Sequence, residues 1–156
     1  MKIIEDGGML PAIDLQTPTG ERLSLSTYLG KPFVLYFYPK DDTPGCTREA
    51  QDFSQSLPEF RALGAEVLGV SRDTPIKHQK FVAKYDLAVA LATDDTEAAL
   101  QAFGVWVEKT LYGKTYMGIE RATFLFDATG VLVRSWRKVR VPGHVRDVLE
   151  AARALA

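Results

Sequence analysis

The segment YPKDDTPGC, residues 38–46, holds the only cysteine in a chain of 156 residues. A solitary cysteine closes no disulfide within its own chain, so its role is either packing or thiol chemistry. Thr43-Pro44-Gly45-Cys46 reads as the start of a helix, because threonine is a favoured N-cap and proline suits the first helical position. Cys46 then falls in the first turn, where backbone N–H groups lack partners and the peptide dipoles favour an anion. A thiol so placed is expected to act as a reactive thiolate. The structural alternative rests on spacing. Cys46, Ala50, Phe53 and Leu57 are four, three and four residues apart, one face of a helix. Free cysteine often packs on such a face as a small hydrophobe. The helix-start pattern favours the reactive thiolate.

Other polar residues carry less chemistry. The two histidines, His78 and His144, have no close spacing, and with one cysteine they make neither a zinc nor a haem site. No metal or cofactor is expected. His78 reads as lying on the polar side of its helix and His144 near the start of the last one, both solvated. The paired carboxylates Asp41–Asp42 and Asp94–Asp95 read as helix caps and solvated loop. Among the aromatics, Tyr38, Trp106, Tyr112 and Trp136 could line a substrate mouth or the core. Trp136 is assigned to the core, and Trp106 stays open.

Short apolar runs separated by turn signals must position the cysteine. KPFVLYFYP (31–39) is a continuous apolar run ending at a proline, which reads as a buried strand feeding straight into the cysteine loop. AEVLGVS (65–71) and ATFLFD (122–127) are similar. DATG (127–130) is a tight turn into VLVRSW (131–136), so the last two strands should form a hairpin. DLQTPTGERLSLS (14–26) reads as a smaller hairpin turning at Pro18–Gly20. Helical patterns lie between. Thr74 and Pro75 start one, with Phe81, Val82 and Tyr85 inward. A short helix runs from Asp95 to Phe103 and stops at Gly104. The last begins near Gly143, with Val145, Val148, Leu149, Ala152 and Leu155 inward. Strands alternating with helices, closed by a hairpin, predict a mixed α/β sheet with helices on both faces.

The length fits a single domain, 1–156, able to bury a real core. A net charge of −1 offers no electrostatic reason to expect nucleic acid or an anionic membrane as the main partner. The N-terminal MKIIEDGGML does not read as a signal peptide, and no stretch approaches the ~20 apolar residues of a membrane span. One cysteine without an export signal suggests the cytoplasm.

FYPKDDTPGCTREA closely resembles the active-site loop of peroxiredoxins, with Pro39, Thr43 and Cys46 in the pattern P-x-x-x-T-x-x-C. The likeness is strongest to the branch called bacterioferritin comigratory protein or peroxiredoxin Q. LSLSTYLGKPFVLYFYPK, VLGVSRDTPIKHQKFVAKYDL, FGVWVEKTLYGKTYMGIERATFLFDATG and VPGHVRDVL extend it, in order, over nearly the whole chain. The resemblance implies a thioredoxin-like fold: a central mixed β-sheet flanked by helices, with an N-terminal β-hairpin. It implies a thiol peroxidase acting on hydrogen peroxide or small organic hydroperoxides. Cys46 would attack the peroxide, Pro39 would pack over the sulfur and limit water, and Thr43 would offer its hydroxyl to the thiolate or the peroxide. Arg121, in GIERATF, would stabilise the thiolate and hold the substrate. Glu49, one turn after Cys46, could orient that guanidinium, since a carboxylate suits a bidentate pair.

Many members of the branch carry a second, resolving cysteine five residues after the first; here that position is Gln51. The chain therefore reads as a one-cysteine peroxiredoxin. Its sulfenic acid must be reduced by an outside thiol, be it thioredoxin, glutaredoxin, glutathione or another low-molecular-weight thiol. The branch implies a monomer or a weak homodimer. Three other readings compete. A disulfide reductase needs C-x-x-C, and Glu49 stands where the second cysteine would be. A cysteine hydrolase needs a histidine base. A chaperone or scaffold with Cys46 as redox sensor would want a long amphipathic tail, which is absent.

Overall fold

The computed structural model describes residues 2–155. Its elements, in chain order, are strands β1 (Asp14–Gln16), β2 (Arg22–Ser24) and β3 (Phe33–Phe37), helix α1 (Pro44–Ala62), strand β4 (Glu66–Ser71), helix α2 (Pro75–Tyr85), strand β5 (Ala90–Thr93), helix α3 (Ala98–Ala102), strands β6 (Trp106–Leu111), β7 (Lys114–Ile119), β8 (Ala122–Phe126) and β9 (Leu132–Trp136), and helix α4 (His144–Arg153). Seven strands form one mixed sheet in the order β2-β1-β5-β4-β3-β8-β9, and β6 pairs only with β7. β3, β4 and β5 are parallel, while β8 and β9 run against them. Both expected hairpins are present, β1–β2 and β8–β9.

β3 explains the two-layered core. It is buried on both faces, and alternate side chains point opposite ways. Val34, Tyr36 and Tyr38 join Phe53, Leu57 and Phe60 of α1, Phe81 of α2 and Val148 of α4. Phe33, Leu35 and Phe37 join Leu100 of α3, Phe103, Phe124 and Phe126. Gly69 of β4 is required by this packing, since a β-carbon there would come within 2.5 Å of the Tyr36 ring.

The β6–β7 ribbon is the largest element that the apolar pattern left unassigned. It carries partly and fully exposed side chains along most of its length, so no buried run advertises it. Tyr112 and Gly113 both take positive φ at its tip, the backbone a two-residue hairpin turn demands. Two helix limits also differ from expectation. α3 begins at Ala98, because Glu97 is left-handed and the buried Asp94 carboxylate accepts from Leu100 N at 2.8 Å. α4 ends at Arg153, leaving Leu155 exposed beyond it. No helix among the described residues is long and apolar enough to cross a membrane.

Candidate active site

Register brings the site together. Phe37 of β3 pairs with Ala122 of β8, so Arg121 stands level with Tyr38 at the carboxyl end of β3. The same end opens into the loop 39–43 and then α1. Thr43 is the N-cap by backbone conformation, Pro44 opens the helix, and the first intrahelical bond is Thr47 N to Thr43 O at 2.8 Å. The Gly45 and Cys46 amides precede that bond and lie in the donor-rich first turn.

Cys46 is 1% exposed and touches the first core layer, yet it is not sealed in hydrocarbon. Arg121 Nη2 donates to Cys46 Sγ at 3.3 Å, and Nη1 donates to Glu49 Oε1 at 2.7 Å. Glu49 lies on α1, one turn beyond Cys46, and is fully buried. Burial pushes its carboxyl up to about 7, with Arg121 pulling the other way, and its Oε2 has no partner. Burial disfavours the Arg121 charge, but Glu49 and Cys46 together outweigh that and hold the guanidinium protonated.

Thr43 and Pro39 sit in the same loop with different contacts. The Thr43 hydroxyl makes no helix-capping bond; it donates to Lys40 O at 2.8 Å. Half-buried Pro39 lines a groove of about 330 Å³ that runs to Trp106 and Lys109 on β6. Trp106 leans on the second core layer, Trp136 on the first, Tyr38 is buried, and Tyr112 is exposed at the ribbon tip.

Both histidines contradict the expectation that they are solvated. His78 is fully buried: it lies three residues before Phe81 and four before Val82, so it shares their inward face. Its ring nitrogens lie beside polar atoms, Nδ1 2.6 Å from Asp41 Oδ2 and Nε2 3.1 Å from Ala92 O. Asp41 is likewise buried rather than solvated, accepting from the Tyr38 hydroxyl at 2.6 Å, while its own amide donates to Asp73 Oδ2. His144 is buried beside Phe53 and Trp136, with Nε2 2.8 Å from Thr123 Oγ1, and burial lowers its pKa to about 4. The side-chain partner of the sulfur is Arg121, and neither histidine is bonded to it.

A buried cysteine at a helix start, gripped by an arginine from the antiparallel neighbour of the strand before it, defines a thiol-dependent redox enzyme on a thioredoxin-like sheet. Residues 7–135 match the AhpC/TSA family, and the chain belongs to it. It is 48% identical to peroxiredoxin Bcp of Bacillus subtilis over 153 residues, 98% of each chain. It is also 48% identical to peroxiredoxin Bcp of Xanthomonas campestris over 151 residues, 94% of each chain. A solved structure of the X. campestris bacterioferritin comigratory protein superposes with a TM-score of 0.88 at 45% identity, covering 96% of this chain and 98% of that one. A mutant PrxQ of Xylella fastidiosa gives 0.92 at 39% identity, covering 99% and 98%. The protein is a thiol-dependent peroxidase with a single cysteine, using a peroxide substrate and a thiol reductant.

Proposed function

We propose that Cys46 is the peroxidatic residue, that Arg121 and Thr43 stabilise charge around it, that Pro39 shields the sulfur from water, and that Glu49 positions Arg121. The Cys46 sulfur attacks the distal oxygen of the peroxide. An S–O bond forms as the O–O bond breaks. The electron pair leaves on the departing oxygen, which takes a proton and goes as water or alcohol, and Cys46 is left as a sulfenic acid. An external thiol then reduces it, because Gln51 stands at the resolving position and the chain has no second cysteine.

Ionisation alone is too small an effect. A free thiol of pKa ~8.5 is about 7% ionised near pH ~7.4, so complete ionisation raises the nucleophile only ~13-fold. Lowered basicity returns part of that gain. The larger share must come from donors aimed at charge that builds on the leaving oxygen. The observation that carries this reading is Arg121 Nη2 at 3.3 Å from Cys46 Sγ, held there by Glu49. The Thr43 hydroxyl, bonded to Lys40 O in the resting loop, would turn toward the peroxide on binding.

The same reading takes the chain as one catalytic domain that works in the cytoplasm as a monomer or weak homodimer. Its test is a single turnover with stoichiometric hydrogen peroxide. Cys46 should gain one oxygen and react with a sulfenic acid trap, and Cys46→Ser should consume no peroxide. Oxidised protein should run as monomer on a non-reducing gel, and excess peroxide should add a second oxygen readily, because no internal thiol intercepts the sulfenic acid. Peroxide consumption that survives in Cys46→Ser would overturn the assignment.

A further inference from the structure

Cys46 is almost inaccessible, so the reductant must either wait for the first turn of α1 to open or be small enough to enter by an existing path. A groove opens beside Pro39, on the loop that leads into Cys46. Its cations are Lys40 from the cysteine loop, Arg72 from the end of β4 and Lys109 from β6; its apolar wall is Pro39, Trp106 and Met117. Arg72 is partly committed, lying 3.1 Å from Glu97 and 5.4 Å above the Trp106 ring. Lys109 is not neutralised by its hydrogen bond, because Nζ donates to an uncharged acceptor, the Ile119 carbonyl, at 2.5 Å. Burial is the main influence lowering its pKa and Arg121 is the next, against the opposing charges of Cys46 and Glu120. Lys109 is therefore a second, incompletely solvated cation within electrostatic reach of the sulfur.

Charge at the site changes during the reaction. The thiolate carries a negative charge that Arg121 and Lys109 both feel. Conversion to a neutral sulfenic acid removes it, leaving Arg121 with Glu49 and Lys109 with the uncharged Ile119 carbonyl as their partners. The oxidised enzyme is thus more attractive to an anion than the reduced enzyme is, at the step where a thiol is needed.

We propose that this groove is the entry site for a small thiol bearing a carboxylate, held by Lys109 and Lys40 with its body against Trp106 and Pro39, and that such a thiol reduces the Cys46 sulfenic acid in preference to a neutral or cationic one. The inference rests on the peroxidase reading above. The bound thiol attacks the sulfenic sulfur: an S–S bond forms, the S–O bond breaks, and hydroxide leaves with the thiol proton as water. A second thiol, as thiolate, attacks the outer sulfur of the mixed disulfide. Cys46 thiolate and the thiol's own disulfide are released, which accounts for both electrons.

The test oxidises Cys46 with one equivalent of hydrogen peroxide and follows loss of the sulfenic acid on rapid mixing with glutathione or with its glycine monoethyl ester. The two share one thiol and differ by one negative charge. At low ionic strength glutathione should react at least about fivefold faster. That ratio should shrink with added salt, approach one in Lys109→Gln and persist in Lys109→Arg. Comparing the two thiols within each variant cancels any general loss of activity. Lys40→Gln, at an exposed side chain, should lower the ratio too and keeps the test decisive should Lys109→Gln fail to fold. A ratio near one in the native protein, or an unchanged ratio in the lysine variants, overturns the proposal. Failure of peroxide to oxidise Cys46 at all would instead sink the peroxidase assignment.

Discussion

Glu49 holds Arg121 at 2.7 Å through Nη1, which leaves Nη2 of the same guanidinium 3.3 Å from Cys46 Sγ. The carboxyl and the sulfur lie one helical turn apart on α1, and a planar cation from another strand spans both. A fork of this kind fixes direction as well as charge.

Removing the fork should cost rate beyond any effect on ionisation. Arg121→Ala is expected to lose about 10²–10³-fold in the peroxide step, the scale of deleting one donor to a developing charge. Arg121→Lys should also be impaired, since an ammonium lacks the fixed geometry to reach Glu49 and the sulfur together. Stopped-flow rates taken on the high-pH plateau separate the two effects. Full recovery of Arg121→Ala on that plateau would contradict the proposed role.

Glu49 makes stability depend on pH in an unusual direction. Its folded pKa, about 7, lies above the ordinary 4.5, so between those values the folded chain binds this proton more tightly than the unfolded chain. Its contribution is fully present below about 4.5 and is lost as pH rises through about 7. The full swing is at most about 3 kcal/mol. Denaturant midpoints across this window should show Glu49→Gln free of that slope, and a slope identical to the native protein's would refute the effect.

His144 works oppositely. Its folded pKa, about 4, lies below the ordinary 6.5, so the unfolded chain binds this proton more tightly. Its contribution is present above 6.5 and is lost as pH falls through about 4, by roughly 2–3 kcal/mol. His144→Gln should therefore be less acid-sensitive than the native protein, though it weakens the contact with Thr123. In the native protein the Glu49 and His144 slopes oppose each other between about 4.5 and 6.5, so each single variant should reveal the slope of the residue left behind.

Tyr36 is fully buried with a hydroxyl that has no hydrogen-bond partner. Tyr36→Phe is expected to raise stability by about 1–3 kcal/mol, the cost of an unsatisfied buried polar group. Gly69→Ala should lower it by about 1–3 kcal/mol through overpacking. Combining the two should not rescue the alanine, because the nearest atom is the ring carbon Cζ, which phenylalanine keeps. Thermal melts of the three variants check all of this; a destabilised Tyr36→Phe would show that the hydroxyl is satisfied in solution.

Much of the framework was legible in the chain. Continuous apolar runs announced β3, β4 and β8, turn residues announced both hairpins, and Thr43-Pro44 announced the start of α1 with Cys46 in its first turn. These signals are local, set by backbone preference and by burial on both faces of a strand. The β6–β7 ribbon was silent because its strands are largely exposed, and α2 was misread at His78 because a polar side chain can join an apolar face where other buried polar groups lie beside it. Arg121 was singled out only through family resemblance; spacing cannot choose one arginine lying 75 residues from the cysteine. The antiparallel register of β8 on β3 decides that meeting. Local chemistry placed a sulfur at a helix start, and only long-range strand pairing supplied the guanidinium beside it.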